Sequence, residues 1–74
     1  MILHETEYLY KSLREHRYRC GLGLKYVAKT LDIPVNDLQQ YEYGNKPITT
    51  ETLSKLAKLY QVLPNYFLGE TSLN

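Results

Sequence analysis

Four residues, Asp32-Ile33-Pro34-Val35, separate two short stretches that each carry an apolar stripe at helical spacing, and this junction constrains the chain more than any other feature. Val27, Ala28 and Leu31 fall on one face of the first stretch, and Leu38 and Tyr41 mark the inner face of the second. Gly21 and Gly23 break the chain upstream, and Gly44-Asn45 stops it downstream. Pro34 disfavours helix at Ile33 but suits the start of the next helix, so the spacing predicts a helix from about Val35 to Tyr43. Two helices joined this tightly must cross steeply, which leaves the outer face of the second one free.

The rest of the chain reads as helix. Leu9, Leu13 and Arg17 recur at intervals of four in a first helix over about Glu5 to Arg19. Thr49-Thr50-Glu51 offers hydroxyl caps and an acid for a fourth helix striped by Leu53, Leu56, Ala57 and Tyr60. Pro64 opens a fifth, short helix with Tyr66, Phe67 and Leu68, ended by Gly69; Glu70 to Asn74 reads as a frayed tail. No run of strand length alternates and no segment repeats. The fold expected is all-α, five helices in a single domain over residues 1–74 with its core at about 9–69.

Composition excludes several functions. No run of 18 apolar residues and no secretory segment occurs in the 74 residues, so the chain is expected to be soluble and cytoplasmic, away from membranes. One cysteine, Cys20, excludes an internal disulfide and a cysteine-based zinc site, and is expected as a buried thiol. His4 and His16 stand too far apart for a common metal-ligand spacing, so no metal is expected. No nucleophile stands beside a base and no glycine-rich phosphate loop follows a strand. The chain is therefore expected to be no enzyme, with no cofactor and no small-molecule substrate.

A helix pair with a free outer face is the geometry that places one helix in a DNA major groove while its partner lies across the phosphates. Here the sequence resembles the XRE family of lambda-repressor-like helix-turn-helix domains. The residues that carry the resemblance are Arg17, Gly21-Leu22, Val27-Ala28, Leu31-Asp32-Ile33, Leu38, Tyr41-Glu42, Gly44, Leu53, Leu56-Ala57 and Val62, and the match runs from Leu9 to about Gly69. It implies a transcription regulator, a repressor by expectation, that binds double-stranded DNA with its third helix in the major groove. Small phage or mobile-element repressors are similar.

Position by position, the resemblance places Val35, Asn36 and Gln40 where bases are read. The amides of Asn36 and Gln40 suit adenine, Val35 a thymine methyl, and Asp37 has the acceptor for cytosine N4. Phosphate contacts fall to the amides near Leu24 and Lys25 at the start of the second helix and to the loop of Tyr43, Asn45 and Lys46, with Arg14 and Lys11 as further candidates. Arg17 and Glu42 are implied to form a structural ion pair. Residues 11–46 hold seven basic and four acidic side chains, a mildly basic face within a chain of net charge +1.

The sequence departs from the family pattern at Leu24, where a phosphate-binding glutamine is usual, and at Gly23 and Pro34, where serine or threonine caps are usual. These departures support an alternative in which the fold binds a protein partner, as a phage-type modulator, antirepressor or antitoxin-like protein. Eight tyrosines, spread over every helix, would suit such an interface. One module of this size buries little surface, so a homodimer on a two-fold operator is expected, joined through Pro64, Tyr66, Phe67 and Leu68 and extended by Pro47-Ile48 and Ile2-Leu3.

Overall fold

The boundaries of the second, third and fourth helices have local chemical causes. The computed structural model describes the backbone of residues 2–68 and the side chains of residues 8–67. Helix α1 spans Ile2–Arg19, α2 Leu24–Leu31, α3 Val35–Glu42 and α4 Thr50–Tyr60, and a 3-10 turn covers Pro64–Leu68. Thr49 caps α4 by accepting from the Thr52 amide at 3.1 Å. Gly23 and Pro34 precede α2 and α3 in extended conformation with no side-chain cap, as their chemistry requires.

All four helices end in the same backbone device, the Schellman motif, in which one residue turns left-handed and the next amide reaches back to the carbonyl five residues earlier. Leu22 donates to Arg17 at 3.2 Å, Ile33 to Ala28 at 3.0 Å, Asn45 to Gln40 at 2.9 Å and Val62 to Ala57 at 2.9 Å. The left-handed residues are Gly21, Asp32, Gly44 and Gln61. Leu22, Ile33 and Val62, the residues after three of these turns, pack against the core. Asn45, after the fourth, is exposed.

The core joins Leu13 of α1, Val27, Ala28 and Leu31 of α2, Leu38 and Tyr41 of α3, Leu53, Leu56, Ala57 and Tyr60 of α4, and Phe67. Burying a large side chain of this kind contributes about 1.5–3 kcal/mol. The core therefore fixes how α3 is held against α1 and α2.

Several expectations are corrected. Four α-helices and a 3-10 turn stand where five helices were expected, among the described residues. The last segment has only five residues, begins at Pro64 and closes an i to i+3 bond, Tyr66 to Leu63 at 2.9 Å. The first helix starts at Ile2 instead of Glu5, whereas α3 starts at Val35 as its spacing predicts and ends at Glu42, one residue before the expected Tyr43. Cys20 is exposed, not buried, since it follows the last residue of α1 at the turn. Phe67 is 0% exposed and meets Tyr60, Tyr66 and His16 edge to face at centroid distances of 6.0, 5.2 and 5.8 Å. It is a core residue of the chain itself and leaves the expected dimer surface. Gly69, the tail Glu70 to Asn74, and the side chains of Ile2, Leu3, His4 and Leu68 lie outside the described residues.

Candidate nucleic-acid interface

Helix α3 is eight residues long, and its two faces have opposite chemistry. Leu38, Tyr41 and Glu42 are buried, whereas Val35, Asn36, Gln39 and Tyr43 are exposed and Gln40 half-buried. Asn36, Gln40 and Tyr43 follow the i, i+4, i+7 stripe opposite the core. With Gln39 and Asn45 they line one shallow depression, so four side-chain amides and a phenol face outward together. An amide offers donor and acceptor side by side, the arrangement that matches adenine N6 and N7. Val35 is 39% exposed at the flank of this stripe.

The position of α3 is set from α1. Arg17 grips Glu42 with both prongs of its guanidinium, Nε to Oε2 at 2.8 Å and Nη2 to Oε1 at 2.9 Å, and its Nη1 donates to the Leu22 carbonyl at 3.0 Å. Both side chains are buried, at 7% and 1% residual exposure. The Glu42 hydrogen bond raises the Arg17 pKa against the opposing effect of burial. This one guanidinium ties together the end of α1, the turn into α2 and the last residue of α3.

Two neighbours on the same stripe of α1 complete the support, a role that the sequence pattern alone did not assign them. Arg14 Nη1 donates to the Glu42 carbonyl at 2.7 Å, a cation at the negative end of α3, and its guanidinium lies 4.7 Å from the Tyr43 ring centroid. One turn earlier, the Tyr10 ring lies where a Cβ on Gly44 would project. Gly44 is thus required twice, by its φ of +75° and by the approach of Tyr10. The spacing Tyr10, Arg14, Arg17 was the available signal, a mixed aromatic and basic stripe with no place in an apolar core.

The expected phosphate contacts divide. Lys25 and Asn45 are exposed, as is Lys11. Leu24 is half-buried against the core, so only its backbone amide is free for an anion at the uncapped start of α2. Lys46 is not free: its Nζ lies 3.0 Å from Asp37 Oδ1 and 5.9 Å from the Tyr41 ring centroid. The hydrogen bond to Asp37 raises the Lys46 pKa. Two residues expected to contact DNA separately, one at a base and one at a phosphate, are partners of each other.

In the expected dimer surface, Pro64 is exposed, as is the neighbouring Leu63, and Tyr66 is half-buried, while Ile48 packs partly against the core. Among the described residues no group of three or more His, Cys, Asp or Glu could hold a metal, and no helix is long and apolar enough to cross a membrane.

Residues 11–67 match a family model described as helix-turn-helix. A curated relative, the HTH-type transcriptional regulator ImmR of Bacillus subtilis (strain 168), is 40% identical over 60 residues, which are 81% of this chain and 47% of the relative. The chain therefore spans about half the length of the curated relative it matches.

Proposed function

The chain belongs to the helix-turn-helix family, and on that premise we propose that it is a sequence-specific DNA-binding transcription regulator, a repressor, that works as a dimer on a two-fold operator. The observation that carries this reading is the outer stripe of α3, where Asn36 and Gln40 stand beside Gln39 and Asn45 on a helix whose opposite face is locked into the core. Helix α3 enters the major groove, with Asn36 and Gln40 as the principal base readers, each bidentate contact discriminating by about 1–3 kcal/mol. Lys25, Asn45 and the free amides at the start of α2 meet phosphates on either side. The edge formed by exposed Leu63 and Pro64 with half-buried Tyr66 is the candidate surface for the second protomer; Leu63 is 70% exposed.

A second reading is favoured by one observation: the rings of Tyr8, Tyr18 and Tyr26 are all more than half exposed, far from the α3 stripe in sequence. In that reading the fold binds a protein partner. A gel shift of the protein on the DNA upstream of its own coding region, over a salt series, separates the two. Regulator binding weakens steeply as salt rises, by a slope near 0.9 per phosphate contacted. No shift at low salt rejects the DNA reading.

A further inference from the structure

Asp37 and Lys46 hold each other across the side of the recognition surface. Asp37 lies in the first turn of α3, one turn before Tyr41, and so falls on the flank of the amide stripe instead of its centre. Lys46 comes from the loop after α3 and runs back along the Tyr41 ring to reach that carboxylate at 3.0 Å. Both side chains keep contact with water, at 28% and 42% exposure. The loop's only lysine is therefore neutralised by the only acid on the outer part of α3.

From this geometry we infer that Asp37 is a specificity-determining residue that withholds Lys46 from DNA phosphates and so suppresses sequence-independent binding. This rests on the DNA-binding reading above. A phosphate that took Lys46 would leave Asp37 bare beside a polyanion, so the exchange gains almost nothing. Lys46 then adds no counterion-release term, although its position in the loop suits a phosphate contact. Sequence-independent affinity comes almost wholly from such terms, whereas base contacts at Asn36 and Gln40 do not depend on them. Holding one cation back in each protomer thus lowers binding to random DNA while leaving base recognition intact, which is discrimination by a repulsive element.

The test is a salt titration of binding to a random-sequence duplex by four proteins: wild type, Asp37→Asn, Lys46→Ala and the double variant. Their urea midpoints serve as the folding control, and an exposed pair should leave these almost unchanged. D37N should bind roughly eightfold more tightly per protomer at 0.1 M salt and about twofold at 0.5 M, because one freed phosphate contact adds about 0.9 to the salt slope. K46A should lower the slope by about 0.9 in the D37N background and by clearly less when Asp37 is present, where Lys46 makes no phosphate contact to lose. If K46A lowers the slope equally in both backgrounds, or in neither, Asp37 does not withhold Lys46 and the inference fails while the DNA reading stands. If none of the four proteins binds the duplex with salt dependence at any salt concentration, the DNA reading falls and the inference with it.

Discussion

The ends of α1, α2 and α4 and the end of α3 are built from one backbone device and put to opposite uses. In each, a left-handed residue turns the chain and the following amide reaches back five residues. At α1, α2 and α4 the residue after the turn is Leu22, Ile33 or Val62, and it folds onto the core. At α3 it is Asn45, which joins the outward depression with Asn36, Gln39, Gln40 and Tyr43. Identical hydrogen bonding therefore serves packing in three places and a surface in the fourth, and the side chain after the turn decides which. The α3 end lacks the apolar anchor of the others. It is held instead by polar and aromatic groups of α1: Arg17 and Arg14 on Glu42, Tyr10 against Gly44.

Removing the substitute anchor should have the largest effect. Glu42→Ala leaves the Arg17 guanidinium buried without its carboxylate, and breaking a buried pair in this way costs about 3–5 kcal/mol. Urea denaturation should find the variant largely unfolded at room temperature; a loss under about 1 kcal/mol would mean that the α3 end needs no such anchor.

Next come the two glycines that turn α1 and α3. Gly21→Ala meets open space and costs only its left-handed backbone, about 1–2 kcal/mol, whereas Gly44→Ala pays the same backbone term and also drives a methyl into the Tyr10 ring. The α3 variant should therefore be the less stable in a side-by-side melt. Equal losses would remove Tyr10 from the account.

Exchanging the residues after the turns should split stability from binding. Val62→Asn withdraws a partly buried apolar side chain and should cost about 1–2 kcal/mol with little change in DNA affinity per folded molecule. Asn45→Val should leave the melting temperature within error and weaken the gel shift. A destabilised Asn45→Val protein would show that the fourth turn serves the core after all.

The smallest expected effect is a pH dependence at the segment that follows α4. His16 is wedged edge to face among Tyr60, Tyr66 and Phe67, at 5.0, 5.3 and 5.8 Å, and burial, then the charge of Arg19, lowers its pKa below the ordinary 6.5. The neutral ring is thus the form that the fold prefers. Its stabilisation is whole above pH 6.5 and is lost as pH falls through the lower folded value. Urea midpoints measured downward from pH 7 should fall in wild type and fall less in His16→Phe.

Most of this arrangement was legible in the sequence because it depends on periodicity and punctuation. The stripes of Val27, Ala28 and Leu31 and of Leu53, Leu56 and Ala57 placed α2 and α4, and Gly21 and Gly44 marked two helix ends. The other two ends were hidden, since Asp32 and Gln61 adopt the same left-handed turn without glycine's signal. Phe67 was misassigned because a five-residue segment has no period from which to read an inner face, and only its packing between α1 and α4 places it. Likewise, nothing local couples Asp37 to Lys46, nine positions apart across a helix and a turn. Cys20 looked like core by residue type, but it sits at the turn that closes α1.

The central claim is that the amides on the outer stripe of α3 read base sequence. It is tested most directly by selecting from a randomised duplex library with wild-type protein and comparing affinities of wild type and Gln40→Ala for the selected sequence and its single-base variants. Wild type should enrich a two-fold symmetric sequence, and Gln40→Ala should lose discrimination at one base pair per half-site, by about 1–3 kcal/mol, while keeping its melting temperature. No enriched sequence, or an equal loss of affinity by Gln40→Ala on every duplex, would contradict the account.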